Sequence, residues 1–387
     1  MSKFPKNLES KLKKREKEGA LRSLPLKTNL VDFSSNDYLG FATNETIYSD
    51  TFKLILKKEA SQNGATGSRL LSGNYSLYTE LEIYLASFFA VESALVFNSG
   101  YDANLGFFSS VPQRGDIIFY DELVHASIRD GILLSNAKSY KFKHNDLDNL
   151  QAKVLSLTAD WKSGEAEIYI VTESVFSMDG DSPDIKELVR FSRKGGYNLI
   201  IDEAHAVGLF GQEGEGLVQE NKVQEDVFAR IVTFGKAMGC HGAAILGSKK
   251  LTEYLVNYAR SFIYTTGLPP HSIATIYSAF SFILTDEAKE TRKVLESNIG
   301  FFIQKVQDLS LKKYFIPSNS AIHSCLIPGN TKVKNVASKI QDKGFNVRPI
   351  MSPSVPDGEE RLRFCLHSFN SKEEIGLVLQ ILLANLK

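Results

Sequence analysis

The chain lacks three things that would have assigned it to a class at once. It has only three cysteines in 387 residues, Cys240, Cys325 and Cys365. They are far apart and odd in number, which argues against a disulfide framework or a zinc site and predicts reduced thiols in a cytoplasmic protein. Net charge is missing too, because Lys plus Arg equals Asp plus Glu at 45 each. No global field therefore draws the chain to nucleic acid or to an anionic membrane, and any anion must be bound by local groups. No apolar run approaches the ~18 residues of a membrane span, and the mixed Lys/Glu stretch over residues 1–19 has no signal-like apolar core. The expectation is a protein neither exported nor membrane-spanning. Repeats of fixed period and low-complexity tracts are also absent. The basic cluster Lys11 to Lys17 is interrupted by Glu16 and followed by Glu18, so it reads as a solvated helix face.

What is present is an ordinary globular balance, 43% hydrophobic against 23% charged, in a chain long enough for two or three cores. A helix over 7–19 and a short strand over 30–33 form an N-terminal arm, residues 1–45. From about 75 to 250, helical stretches alternate with the apolar runs Ala94–Asn98, Ile117–Tyr120, Glu167–Thr172, Asn198–Ile201, Arg230–Thr233 and Ala243–Leu246. That alternation predicts an α/β fold, a mostly parallel central sheet with helices on both faces, within a large domain over 46–285. After Pro269-Pro270 the pattern turns helical, then strand-like at Ala321–Ile327 and Leu362–Leu366, and closes on an amphipathic helix. This predicts a smaller C-terminal α/β domain, 286–387.

In an open parallel sheet, ligands gather at the C-terminal ends of the strands. Ser99-Gly100-Tyr101, His125, Glu173 to Asp181, Asp202 to His205 and Lys236 all follow apolar runs. Lys236, between Gly235 and Gly239, can approach an aldehyde carbon, and a strand-end aspartate such as Asp202 can hold a pyridine nitrogen protonated. Together they suggest pyridoxal phosphate. The small-residue turn at Ser99-Gly100-Tyr101 would point backbone N–H groups and a helix N-terminus at its phosphate. His125 could stack on the ring, His205 could reach its phenolic oxygen, and Ser177 could hydrogen-bond the same region. Taken singly, each has a plainer reading: a solvated lysine, a capping aspartate, a helix-start histidine. Asp179-Gly180-Asp181 reads as a tight turn and lacks the remaining spacing of a calcium loop, so no metal is expected. Gly64 to Asn74 lacks the lysine of a nucleotide phosphate loop. Arg361 and Arg363 lie on one face of a strand, and parity does not say which points into a site.

In this order, these residues resemble the α-oxoamine synthases, pyridoxal-phosphate enzymes of fold type I. The resemblance runs from Ala20-Leu21-Arg22 to His367 and includes Ser34–Gly40, Gly64–Gly73, His125-Ala126-Ser127, Thr233–Lys236, Phe262–Thr266 and Arg361-Leu362-Arg363. It implies that Lys236 carries the cofactor, that Asp202 pairs with the ring nitrogen and that His125 stacks on the ring. Ser177 and His205 would contact the phenolic oxygen. Ser99, Gly100, Tyr101, Glu173 and Thr233 would complete the cofactor site, with Thr266 supplied by the second subunit of a homodimer. Arg363 and Asn36 would hold the amino-acid carboxylate, and Arg22 and Arg348 would face the acyl group. The implied partners are an amino acid, L-alanine first, and an acyl thioester on coenzyme A or acyl carrier protein, a pimeloyl chain first, as in biotin synthesis. Sibling activities remain open: acetyl transfer to glycine, the condensations that give long-chain bases or 5-aminolevulinate, and a non-catalytic partner subunit. After Lys236 the chain reads Ala237-Met238-Gly239-Cys240-His241-Gly242, which departs from the family's usual glycine-rich stretch and gives His241 no assigned role.

Overall fold

The computed structural model describes residues 4–22, 24, 29–158 and 166–386. Its strands are β1 (Val31–Asp32), β2 (Ser93–Phe97), β3 (Ile117–Asp121), β4 (Lys138–Phe142), β5 (Ile168–Glu173), β6 (Asn198–Asp202), β7 (Ala229–Thr233), β8 (Ala243–Gly247), β9 (Ile322–Leu326), β10 (Phe345–Asn346), β11 (Arg348–Ile350) and β12 (Arg361–Cys365). The chain divides into two compact units. One comprises Leu39–Ser177 and Ser182–Arg292; the other comprises Met1–Tyr38, Met178–Asp181 and Lys293–Lys387.

The larger unit holds a seven-stranded sheet in the order β2-β8-β7-β6-β5-β3-β4. All pairings from β7 through β4 are parallel, while β8 runs antiparallel to both β7 and β2. The expected mostly parallel sheet is therefore present. β4 has no counterpart among the apolar runs, because Lys138-Ser-Tyr-Lys-Phe142 is an edge strand with mostly open side chains and carries little hydrophobic signal.

Side chains alternate across this sheet and build two cores. On β6, Ile200 joins Leu95, Ile118, Val171, Ile231 and Ile245 on one face, while Leu199 and Ile201 join Ile117, Phe119 and Ile170 on the other. Of the first five helices, α1 (Lys6–Lys17), α2 (Glu45–Lys57), α3 (Ser76–Phe88), α4 (Gly100–Ser110) and α5 (Ala126–Leu133), the last two cover the first face through Ala103, Phe107, Phe108, Ile128 and Ile132. Gly131 lets these two helices close up, since a Cβ there would lie 2.8 Å from the Asn104 carbonyl oxygen and 2.9 Å from Phe108 Cβ. By the same parity Glu173, Asp202 and Thr233, at the ends of β5, β6 and β7, share the face of Val171, Ile200 and Ile231. They point toward the α4–α5 layer.

The smaller unit carries two sheets of its own. β1 pairs in parallel with β10, which draws the N-terminal segment into this unit, and β9, β12 and β11 form an antiparallel sheet with β12 in the middle. No described helix is long and apolar enough to cross a membrane.

Candidate active site

Asp202 is the last residue of β6 and only 5% exposed. Its carboxylate is held from two sides: Oδ1 accepts the backbone N–H of Ala204 at 2.9 Å, and Oδ2 accepts Asn104 Nδ2–H at 2.9 Å. Each oxygen has lone-pair capacity left for another donor. Beside it in register on β5 is Glu173, also buried. Two neighbouring buried carboxyls resist double ionisation. Burial first, and the charge of Asp202 second, push Glu173 up to about 8, while Lys236 and the His125 backbone N–H pull it back. Glu173 Oε1 accepts that His125 N–H at 2.6 Å, which ties the end of β5 to the start of α5.

Lys236 is half-buried in the turn joining β7 to β8. Phe234 N–H donates to the Gly242 carbonyl at 2.9 Å, Gly239 N–H to that of Lys236 at 2.8 Å and Cys240 N–H to that of Phe234 at 2.8 Å. Phe234 is fully buried and sets its ring edge-on to Phe280, which anchors the turn. Gly239 has φ +63°, and any Cβ on it would collide with the backbone of Phe41 and Ala42, so this position requires glycine. The charges of Lys236 and Asp202 both bear on His125 and on Glu173. An amine, a carboxylate and an imidazole are thus gathered within one unit.

Ser99 caps α4, its Oγ accepting Asp102 N–H at 3.1 Å and donating to Asp102 Oδ2 at 2.8 Å. The first N–H groups of the helix, including Gly100 and Tyr101, have no partners within it and present the positive dipole end. Thr233 lies against Gly100, where a built Cβ would sit 3.5 Å from it, and its Oγ1 donates to the Gly242 carbonyl at 3.2 Å. Thr266 is exposed, and its carbonyl accepts Asn98 Nδ2–H at 2.7 Å, one residue before Ser99. His205 is buried, Ser177 half-buried and His241 exposed. The donor set suits a pyridine ring bearing an aldehyde and a phosphate: an amine for the carbonyl, a carboxylate with spare lone pairs for the ring nitrogen, and a helix N-terminus for the phosphate.

The smaller unit separates the two strand arginines that sequence parity left equivalent. Arg361 is 3% exposed, ion-paired with Asp179, and reaches Glu359 Oε2 at 3.3 Å. Asp179 thereby gains a structural task that the turn reading had not given it. Arg363 donates instead to the neutral amide oxygen of Asn36 at 3.0 Å. Directly opposite it across the antiparallel pair stands Arg348. Two like charges in that position repel unless an anion joins them. Arg22 is exposed and donates to Ser354 Oγ at 2.9 Å. Asn104 and Ser127 are central to the hydrogen bonding around Asp202; Ser127 is named in the sequence only within the stretch His125-Ala126-Ser127, with no role of its own, and Asn104, a polar residue inside an apolar helix, carries no motif. Arg69, in the small-residue segment Gly64 to Asn74, is absorbed by Glu82 at 2.5 Å and by the Tyr78 ring.

The family model for aminotransferase class I and II matches residues 28–382. The chain is 40% identical over 97% of its length, and 94% of the relative's, to the 8-amino-7-oxononanoate synthase of Emericella nidulans. Among solved structures, it superposes on a variant serine palmitoyltransferase of S. paucimobilis with bound PLP-myriocin at a TM-score of 0.86 and 25% identity, covering 98% of this chain and 96% of that one. The 8-amino-7-oxononanoate synthase of Francisella tularensis gives a TM-score of 0.75 and 28% identity, covering 92% and 97%.

Proposed function

From a chain that belongs to the aminotransferase class I and II family, and within it to the pyridoxal-phosphate-dependent α-oxoamine synthases, we propose an acyltransferase that condenses L-alanine with a pimeloyl thioester to give 8-amino-7-oxononanoate. The observation that carries this choice is the 40% identity, over almost the full length of both chains, to a synthase of that name. The higher TM-score to serine palmitoyltransferase reports backbone similarity, and substrate choice resides in side chains.

Pyridoxal phosphate, when bound, supplies an electron sink that makes the α-carbon of an amino acid acidic. The protein's own groups do the rest. Lys236 would hold the cofactor through its amine, and its Nζ would serve as the base that takes the proton from the amino acid's α-carbon. Asp202, held by its two donors, would pair with the ring nitrogen, beside a Glu173 whose carboxyl burial keeps protonated. Ser99, Gly100, Tyr101 and Thr233 receive the phosphate, with Thr266 reaching it from a partner subunit. His205 and Ser177 serve the phenolic oxygen, and His125 covers the ring. Arg363, steered by Asn36, clamps the amino-acid carboxylate and so fixes which α-bond is broken. Arg348 and Arg22 take the distal carboxylate of the acyl chain. The new bond joins the α-carbon to the thioester carbonyl, the C–S bond breaks to free the thiolate carrier, the α-carboxyl departs as carbon dioxide, and the proton held by Lys236 would return to the α-carbon in its place.

A cytoplasmic homodimer completes the proposal. Tyr48, Phe52 and Leu56 are spaced by four on helix Glu45–Lys57 and are 79%, 59% and 55% exposed, an apolar stripe suited to a second copy. The test is product analysis by mass spectrometry after incubation with alanine, glycine or serine against acetyl, pimeloyl and palmitoyl thioesters. Faster turnover of glycine with acetyl thioester than of alanine with pimeloyl thioester would overturn the substrate assignment and leave the family intact.

A further inference from the structure

We propose that Asn104 and Ser127 are positioning residues that fix the proton of His125 on Nε2 through a hydrogen-bond relay anchored on Asp202. The inference rests on the cofactor site proposed above and adds a defined proton position to it.

Asn104 on α4 is 2% exposed. One side-chain N–H reaches Asp202 Oδ2 at 2.9 Å, and the same nitrogen lies 3.1 Å from Ser127 Oγ. An ionised carboxylate only accepts, so the amide nitrogen and not the amide oxygen must face Asp202. That orientation commits the second N–H to Ser127 Oγ. It also leaves Asn104 Oδ1 buried with no hydrogen-bond partner among the described residues, an unfavourable arrangement that the carboxylate outweighs. With its oxygen accepting from Asn104, the Ser127 hydroxyl is set to donate its own proton to His125 Nδ1, 2.8 Å away. The Ser127 backbone N–H approaches the same nitrogen at 3.2 Å.

Two donors converge on Nδ1, so Nδ1 keeps its lone pair and the single proton of the neutral ring sits on Nε2. His125 as a residue is exposed, but its Nδ1 edge is turned into the protein, where the relay holds it. Putting a proton on Nδ1 would point it at the Ser127 backbone N–H and would turn the Ser127 hydroxyl away, leaving its oxygen to accept from both Asn104 and the ring. The charged groups bearing on the ring are Asp202, Lys236, Arg129 and Asp130, and Glu173 holds its backbone N–H. The consequence for chemistry is directional: His125 offers the reacting groups a hydrogen-bond donor and not a general base.

The test is a long-range ¹H–¹⁵N correlation spectrum of the full-length protein labelled with ¹⁵N-histidine, recorded without and with pyridoxal phosphate. His125 is assigned by the peak lost in His125→Gln. The wild type is expected to give a single-tautomer pattern with the proton on Nε2 in both states. Ser127→Ala is expected to lose that pattern, with the two ring nitrogens moving toward averaged shifts, and Asn104→Ala should move them the same way. A wild-type ring protonated on Nδ1 overturns the proposal, and this arm needs no variant of Asn104 or Ser127. An unchanged tautomer in Ser127→Ala also overturns it, because the backbone N–H alone would then suffice. The cofactor-free readout uses no substrate, so its failure is distinct from failure of the proposed condensation.

Discussion

Replacing Glu173 by glutamine tests the claim that a neutral acid sits beside Asp202. Glu173 is pushed from an ordinary 4.5 up to about 8, chiefly by burial and then by Asp202. Between those values the folded protein keeps a proton that the unfolded chain has released. A group whose folded pKa is raised contributes stability that is complete below its unfolded pKa and is lost as pH rises through the folded one. One such proton tilts stability downward by about 1.4 kcal/mol per pH unit. Glutamine has no proton to lose, and its side-chain oxygen can still accept the His125 N–H that Glu173 Oε1 takes at 2.6 Å.

Urea unfolding of the cofactor-free wild type and of Glu173→Gln, from about pH 5.5 to about pH 7.5, reads the difference directly, since other titrating groups cancel. Wild-type stability is expected to fall relative to the variant by about 3 kcal/mol over that window. A flat difference would mean that Glu173 is ionised throughout, and would refute the claim of a neutral acid beside Asp202.

Lys236→Ala is expected to abolish covalent attachment of pyridoxal phosphate, read as loss of the mass increment after borohydride reduction; retained attachment would point to a different lysine. Arg363→Ala removes a charge-assisted clamp of about 1.5–3 kcal/mol and should raise the KM for alanine by roughly ten- to a hundredfold while leaving the pimeloyl KM near its original value. Arg348→Ala should do the reverse, and equal effects on both substrates would deny the arginines separate tasks. Phe52→Glu should shift the sedimentation profile from dimer to monomer, whereas an active wild-type monomer would remove the basis for a shared site.

The large unit was legible because its strands are buried on both faces and therefore appear as apolar runs; β4 escaped because an edge strand needs no such run. Strand ends were legible for a related reason. A polar residue terminating a run of Val, Ile and Leu must either end the core or be used by it, and Glu173, Asp202 and Thr233 all stand at such ends. Contacts between distant segments were not legible. Nothing local distinguishes Arg361 from Arg363, and only the approach of Asp179 to one and of Asn36 to the other does so. Asn104 carries no motif because its task is set by parity on β6, which turns Asp202 toward α4 and not toward the opposite face.

That parity also explains a buried ion pair that plays no direct part in the proposed chemistry. Glu203, one residue beyond Asp202, faces the other way and is fully buried. It accepts Arg230 Nε–H at 2.7 Å and Val218 N–H at 3.0 Å, and its own N–H donates to the Ile231 carbonyl at 2.8 Å. Arg230, 1% exposed, also donates to Gln219 Oε1 at 2.6 Å, the Glu215 carbonyl at 2.7 Å and the Phe89 carbonyl at 3.4 Å. A buried pair gains little over a well-packed apolar one, but removing one partner strands the other charge at a cost of about 3–5 kcal/mol. The pair therefore pins the β6 end in one register, and a slip by a single residue would exchange Asp202 with Glu203 across the sheet. The carboxylate that meets Asn104 is thus held in place from the opposite face of the sheet.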